Sequence, residues 1–213
     1  MPDEELGAKD IEFRTTDQET SKEAEKKFPV WATIKIGGHS MPIDNEGYPD
    51  PFALNDSLIQ HSARPNDSAR GVMAMEQMRL INEMESNPSQ ERPAETDIDL
   101  VFVSREDLGL DRSASLKDAY DAAKRLGLSL CPTEAAWKLL LQYPKEKSYP
   151  KGNMVVGMEP VPDPDPRGKK KTIFTIEDRP GVGRSLGIYS GGLEEWKPLS
   201  ESDLILFVQS KNQ

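Results

Sequence analysis

The groups that could carry chemistry are few and scattered. His39 and His61 are the chain's two histidines. With Asp44, Glu46, Asp50 or Asp56 they supply the donors of a two-histidine, one-carboxylate metal site. Their spacing is not that of ligands on one helix, so two exposed loop histidines are the simpler expectation and no cofactor is expected. Cys131 precedes Pro132 at an expected helix start, where the helix dipole lowers a thiol pKa. It also stands among Leu128, Leu130 and Trp137, and free cysteine is among the most buried residue types. A small core residue is therefore expected. Gly181-Val182-Gly183-Arg184-Ser185 lacks the lysine and following helix of a phosphate cradle and reads as a β-turn. Arg167, Lys169, Lys170 and Lys171 form the one basic cluster, without the interleaved aromatics of a nucleic-acid stacking platform. There is no Gly-x-Ser-x-Gly elbow, HExxH or Walker motif.

Pro162-Asp163, followed by Glu195-Trp196-Lys197, resembles the Pro-Asp … Glu-x-Lys pattern of metal-dependent nucleases. In that pattern two carboxylates hold Mg²⁺ and a lysine polarises the attacking water. Asp163, Glu195 and Lys197 would then need to meet on neighbouring strands. Two further strand candidates intervene, and Asp163 falls in a proline-rich turn. A metal-dependent hydrolase of the nuclease kind is the alternative function.

The leading function rests on the lack of a convergent catalytic set, on the acidity, on a long loop and on a methionine-rich helix. Residues 69–84 read as a helix that carries Met73, Met75, Met78 and Met84. Unbranched thioethers make an adaptable surface of the kind used at promiscuous binding sites, and they fill core gaps equally well. A partner-binding face and a plain core-facing helix both fit this pattern.

The elements that position these groups centre on Thr96–Tyr143. Ile98, Leu100, Val101, Phe102 and Val103 suit an interior strand. Ser104 with Asp107, and Ser115 with Asp118, have capping-box spacing. Leu116, Ala119, Tyr120, Ala123 and Leu126 share one helix face, and Gly127 stops that helix. A second helix starts near Pro132, with Leu139 and Leu140 on its apolar face, Lys138 opposite and Pro144 barring extension. Its expected partners are the Leu116–Leu126 helix and the Ile98–Val103 strand. Val30–Ile36 alternates as a strand. Met154–Met158, Thr172–Ile176, Leu186–Tyr189 and Leu204–Val208 suggest an antiparallel meander. Residues 1–28 read as a disordered tail, 38–67 as a long loop and 87–95 as a linker.

The segment containing Leu130, Cys131, Pro132, Glu134, Leu141, Gln142 and Tyr143, followed by Gly152 and Met158-Glu159-Pro160, resembles a family of bacterial proteins with no established activity. The resemblance implies a shared fold from about Val30 onward and adds no site.

The fold class expected is α+β: a strand-helix-helix unit packed on a mostly antiparallel sheet, one domain over 29–213. The net charge of −10 pushes the chain away from phosphate backbones, so nucleic acid is not an expected partner. No apolar stretch approaches the ~20 residues of a membrane span, and no signal-peptide core opens the chain. One cysteine excludes an internal disulfide and a thiolate zinc cluster. Together these features lead to the expectation of a cytoplasmic, non-enzymatic protein-binding or assembly component of a bacterial or phage system.

Overall fold

The computed structural model describes residues 28–37, 50–86, 94–143, 149–150, 153–163, 170–179, 183–191 and 203–210. In chain order the elements are β1 (Ala32–Ile36), α1 (Pro51–Gln60), β2 (Ala63–Pro65), α2 (Asp67–Ser86), β3 (Thr96–Ser104), α3 (Leu116–Arg125) and β4 (Leu128–Ser129). They continue with α4 (Ala135–Gln142), β5 (Asn153–Val156), β6 (Val161–Pro162), β7 (Lys171–Arg179), β8 (Gly183–Gly191) and β9 (Leu204–Gln209). The fold is α+β.

The strands make one sheet in the order β1-β3-β9-β5-β7-β8-β2, with β4 on β9 and β6 on β7. Pairings are antiparallel except β5 with β9 and β2 with β8. The meander expected at the C-terminus holds for β5, β7 and β8. It fails for β9, which enters the middle of the sheet between β3 and β5. Its run of buried residues, Ile205, Leu206 and Phe207, explains this placement. A strand buried on both faces belongs in a sheet interior.

Both expected capping boxes form. Asp107 and Asp118 each donate a backbone N–H to the serine hydroxyl three residues earlier and accept that serine's backbone N–H on the carboxylate. Hydrogen bonds from Ser115 hold the Asp118 carboxyl below its usual range. Gly109 and Gly127 adopt positive φ where each turn ends. Tyr120 of α3 donates its hydroxyl to the Met158 carbonyl at 3.0 Å, accepts the Met158 N–H at 3.2 Å and meets the Phe207 ring edge-on.

The stretch expected as one long loop holds α1 and β2. Pro51 starts α1 at the position where proline costs no hydrogen bond. The Asp50 carboxylate accepts the Ala53 N–H at 3.1 Å, and Leu54 and Leu58 are buried one turn apart. The expected tail boundary also moves, because Phe28 is buried in the core; residues 1–27 lie outside the described residues.

Every residue of α4 from Ala135 to Leu140 is buried. The helix packs chiefly against β1, β7, β8 and α1, rather than against the strand and helix expected from the sequence, and Trp137 meets Phe174 of β7 edge-on at 5.8 Å. The helix therefore sits within the curl of the sheet, which leaves no solvent side for Lys138. That residue is 9% exposed, where an exposed position was expected. Its long aliphatic stem is therefore packed, as cationic side chains can be along apolar surface.

Residues at both ends of α4 bind the edge strand β1. Gln142 accepts the Lys35 N–H and donates to the Lys35 carbonyl, both at 2.8 Å. Glu134 accepts the Gly37 N–H at 2.8 Å, and Tyr143 stacks on Trp31 at 4.2 Å. Among the described residues, no helix is long and apolar enough to cross a membrane.

Leu140→Ala should cost about 2–5 kcal/mol, as for other buried leucines. Lys138→Ala should cost between ~0.5 and ~1.5 kcal/mol through lost stem packing. Urea unfolding of both variants checks the order. A Lys138→Ala variant as stable as the parent would show that the stem is not packed.

Candidate functional site

Helix α2 is docked along one face over its N-terminal half. Asn66 caps it, its side-chain oxygen accepting the Ala69 N–H at 2.7 Å, and Asp67 pairs with Arg70 one turn on. Ala69, Val72, Met73, Glu76 and Gln77 recur at three and four residues and are buried. Met75 and Met78 turn the other way, 41% and 53% exposed. They line a shallow open groove with Ala74, Arg79, Asn82, Glu83 and Ser86.

The methionine surface expected from the sequence therefore divides by helix phase. Met73 is 2% exposed and belongs to the core, since it lies 200° around the axis from Met75 at 100° per residue. Met84 falls in α2, but its side chain lies outside the described residues.

Arg79 organises the groove's rim. Its Nε donates to the buried Glu76 carboxylate at 2.7 Å, and its Nη1 bonds Glu83. The Glu76 hydrogen bond raises the guanidinium pKa further above its ordinary value. Glu76 is 4% exposed, so its charge is buried with a partner, as a buried carboxylate requires. Gln77 is also buried, and its amide finds no hydrogen-bond partner among the described residues.

Of the residues expected to carry chemistry, only some fall among the described residues. Asp163 directly follows β6, and its carboxylate accepts the Ser190 hydroxyl of β8 at 2.8 Å. Glu195, Lys197 and His39 lie outside the described residues. His61 is exposed just after α1, its Nδ1 2.8 Å from the Ser57 carbonyl. No group of three or more histidine, cysteine or acidic residues among the described residues is placed to hold a metal ion. Of the basic cluster, Lys170 and Lys171 are described and exposed. Gly183 and Arg184 open β8. There the Arg184 guanidinium is buried over the Tyr149 ring at 4.2 Å and donates to the Tyr143 carbonyl at 3.2 Å.

Cys131 is buried, its Sγ 3.4 Å from the Leu206 carbonyl. Burial pushes the thiol pKa well up, which overrides any gain from a helix dipole. The sequence reading missed Arg79, Asn82 and Glu83. The available signal was the one-turn spacing of Met75 to Arg79 and of Met78 to Asn82, which puts each polar residue beside a methionine.

Comparison of the chain with family models, with curated proteins and with solved structures returns no match.

A thiol reagent should label Cys131 in native buffer only as fast as the protein opens, with denaturant restoring ordinary thiol rates. Rapid native labelling at neutral pH would show an accessible thiolate.

Proposed function

We propose that this chain is a non-enzymatic protein-binding component, and that it meets its partner through the outward face of α2. One observation carries the reading. Two large apolar side chains stand half in water on a helix whose opposite face is buried from Ala69 to Gln77.

The spacing favours a single amphipathic helix as the occupant. Met75, Met78 and Asn82 follow the three-then-four repeat of a helix-on-helix seam, flanked by Ala74, Arg79 and Ser86. Asparagine at such a position sets register at some cost in stability. From Ala74 to Ser86 the seam runs about 20 Å, long enough for roughly three turns of a partner helix laid in a groove. Methionine suits the role because its flexible stem repacks against different side chains.

The test places a photo-cross-linking residue at Ser86, on the groove, and in a control at Lys117, on the exposed side of α3. The Ser86 probe should give one discrete adduct whose attachment point lies in a helix of the partner. The Lys117 probe should not give it. The M75E/M78K variant should lower the partner's affinity by about tenfold or more, while Tm shifts by under about 2 °C. Identical adducts at both positions, or full binding by the variant, would remove α2 as the docking face.

A further inference from the structure

Among the described side chains, the fold sorts the methionines by their exposure to oxidants. Met73, Met154 and Met158 are at most 2% exposed, whereas Met75 and Met78 stand out at 41% and 53%. Cys131, the one cysteine, is buried. It is no rival for an oxidant, because reactivity requires an accessible thiolate. We propose that Met75 and Met78 form a paired, reversible oxidation site for peroxides, which converts the outward face of α2 from apolar to polar while the core stays intact. The regulatory consequence rests on the partner-binding reading of α2; the chemistry does not.

The reaction balances with the peroxide as its only co-reactant. The thioether sulfur attacks one peroxide oxygen, an S–O bond forms and the O–O bond breaks. Sulfur gives up two electrons, and with hydrogen peroxide the leaving oxygen departs as water after taking the proton of the transferred one. The product is a polar, chiral sulfoxide that the methionine sulfoxide reductases restore. Each sulfoxide would have a donor one turn away, Arg79 for Met75 and Asn82 for Met78, and both donors line the same groove. Met73, on the docked face, is the only one of the three whose oxidation would disturb packing.

The site is tested on the full chain with dilute hydrogen peroxide. Mass spectrometry follows the tryptic peptides Gly71–Arg79 and Gly152–Arg167, and fragmentation of the first separates Met73, Met75 and Met78. Met75 and Met78 should gain oxygen at least about tenfold faster than Met73, Met154 and Met158, with far-UV circular dichroism and Tm retained. Equal rates across the five, or a melt lost with the first oxidation, would overturn the proposal. The regulatory arm repeats the Ser86 cross-link before and after peroxide. The adduct should fall several-fold in the native chain and persist in M75L/M78L; an equal fall in both overturns the switch. Absence of the adduct before any peroxide overturns the partner reading alone, and the peptide rates still decide the oxidation site.

Discussion

A sheet edge has to be closed, and Gln142 closes it. β1 presents the N–H and C=O of Lys35 away from β3, and an amide side chain supplies the matching acceptor and donor. Gln142 thus does for one residue what a neighbouring strand does for a ladder, and Glu134 repeats the donor half at Gly37. Each such bond contributes only about 1 kcal/mol. Their positional effect is larger, because they fix both ends of α4 against the first strand. Trp31 then packs with Tyr143, Tyr149 and Phe102. Arg184 reaches this cluster from β8, near the other end of the sheet order. The curl is closed by side chains where the strands themselves do not pair.

The second constraint lies where three segments cross. Gly157 donates its N–H to Leu206 at 2.9 Å and accepts the Cys131 N–H on its carbonyl at 2.6 Å. A Cβ on Gly157 would lie 2.7 Å from the Phe207 ring and 2.8 Å from the Leu206 carbonyl. Only glycine fits without moving backbone. Cys131 likewise stands where a small side chain must touch the β9 backbone. Cys131 also bridges Met158 beside Gly157, so the crossing and the Gln142 clasp together join the sheet to the segments around α4.

Local chemistry was legible in the sequence and long-range placement was not. The capping boxes at Ser104 and Ser115, the stop at Gly127 and the helix over 69–84 all depend on residues within one or two turns, and all appear. α1 was hidden because Pro51 and the prolines around it read as loop punctuation, although Pro51 after Asp50 is equally a helix start. The central position of β9 depends on pairing with strands some 50 and 100 residues away, which periodicity does not encode. Lys138 was misplaced for the same reason: its exposure is set by the strands that curl around α4. The methionines of α2 were read as one set, and helix phase alone separates Met73 from Met75 and Met78.

The candidate surface and the core are joined by one ion pair. Glu76 is buried and needs a cation. Arg79 supplies it from the rim of the outward groove, where it also engages Glu83. A side chain held in this way has already lost rotamer freedom before any partner arrives, so less is lost on binding. The groove is therefore a preorganised flank beside adaptable methionines, a rigid polar edge with a deformable apolar floor. Such a surface can hold one orientation of a partner helix while accommodating variation in its side chains. On the proposed reading the core residue Glu76 would act on the surface without touching a partner, because its loss would release Arg79 and with it the ordered polar edge.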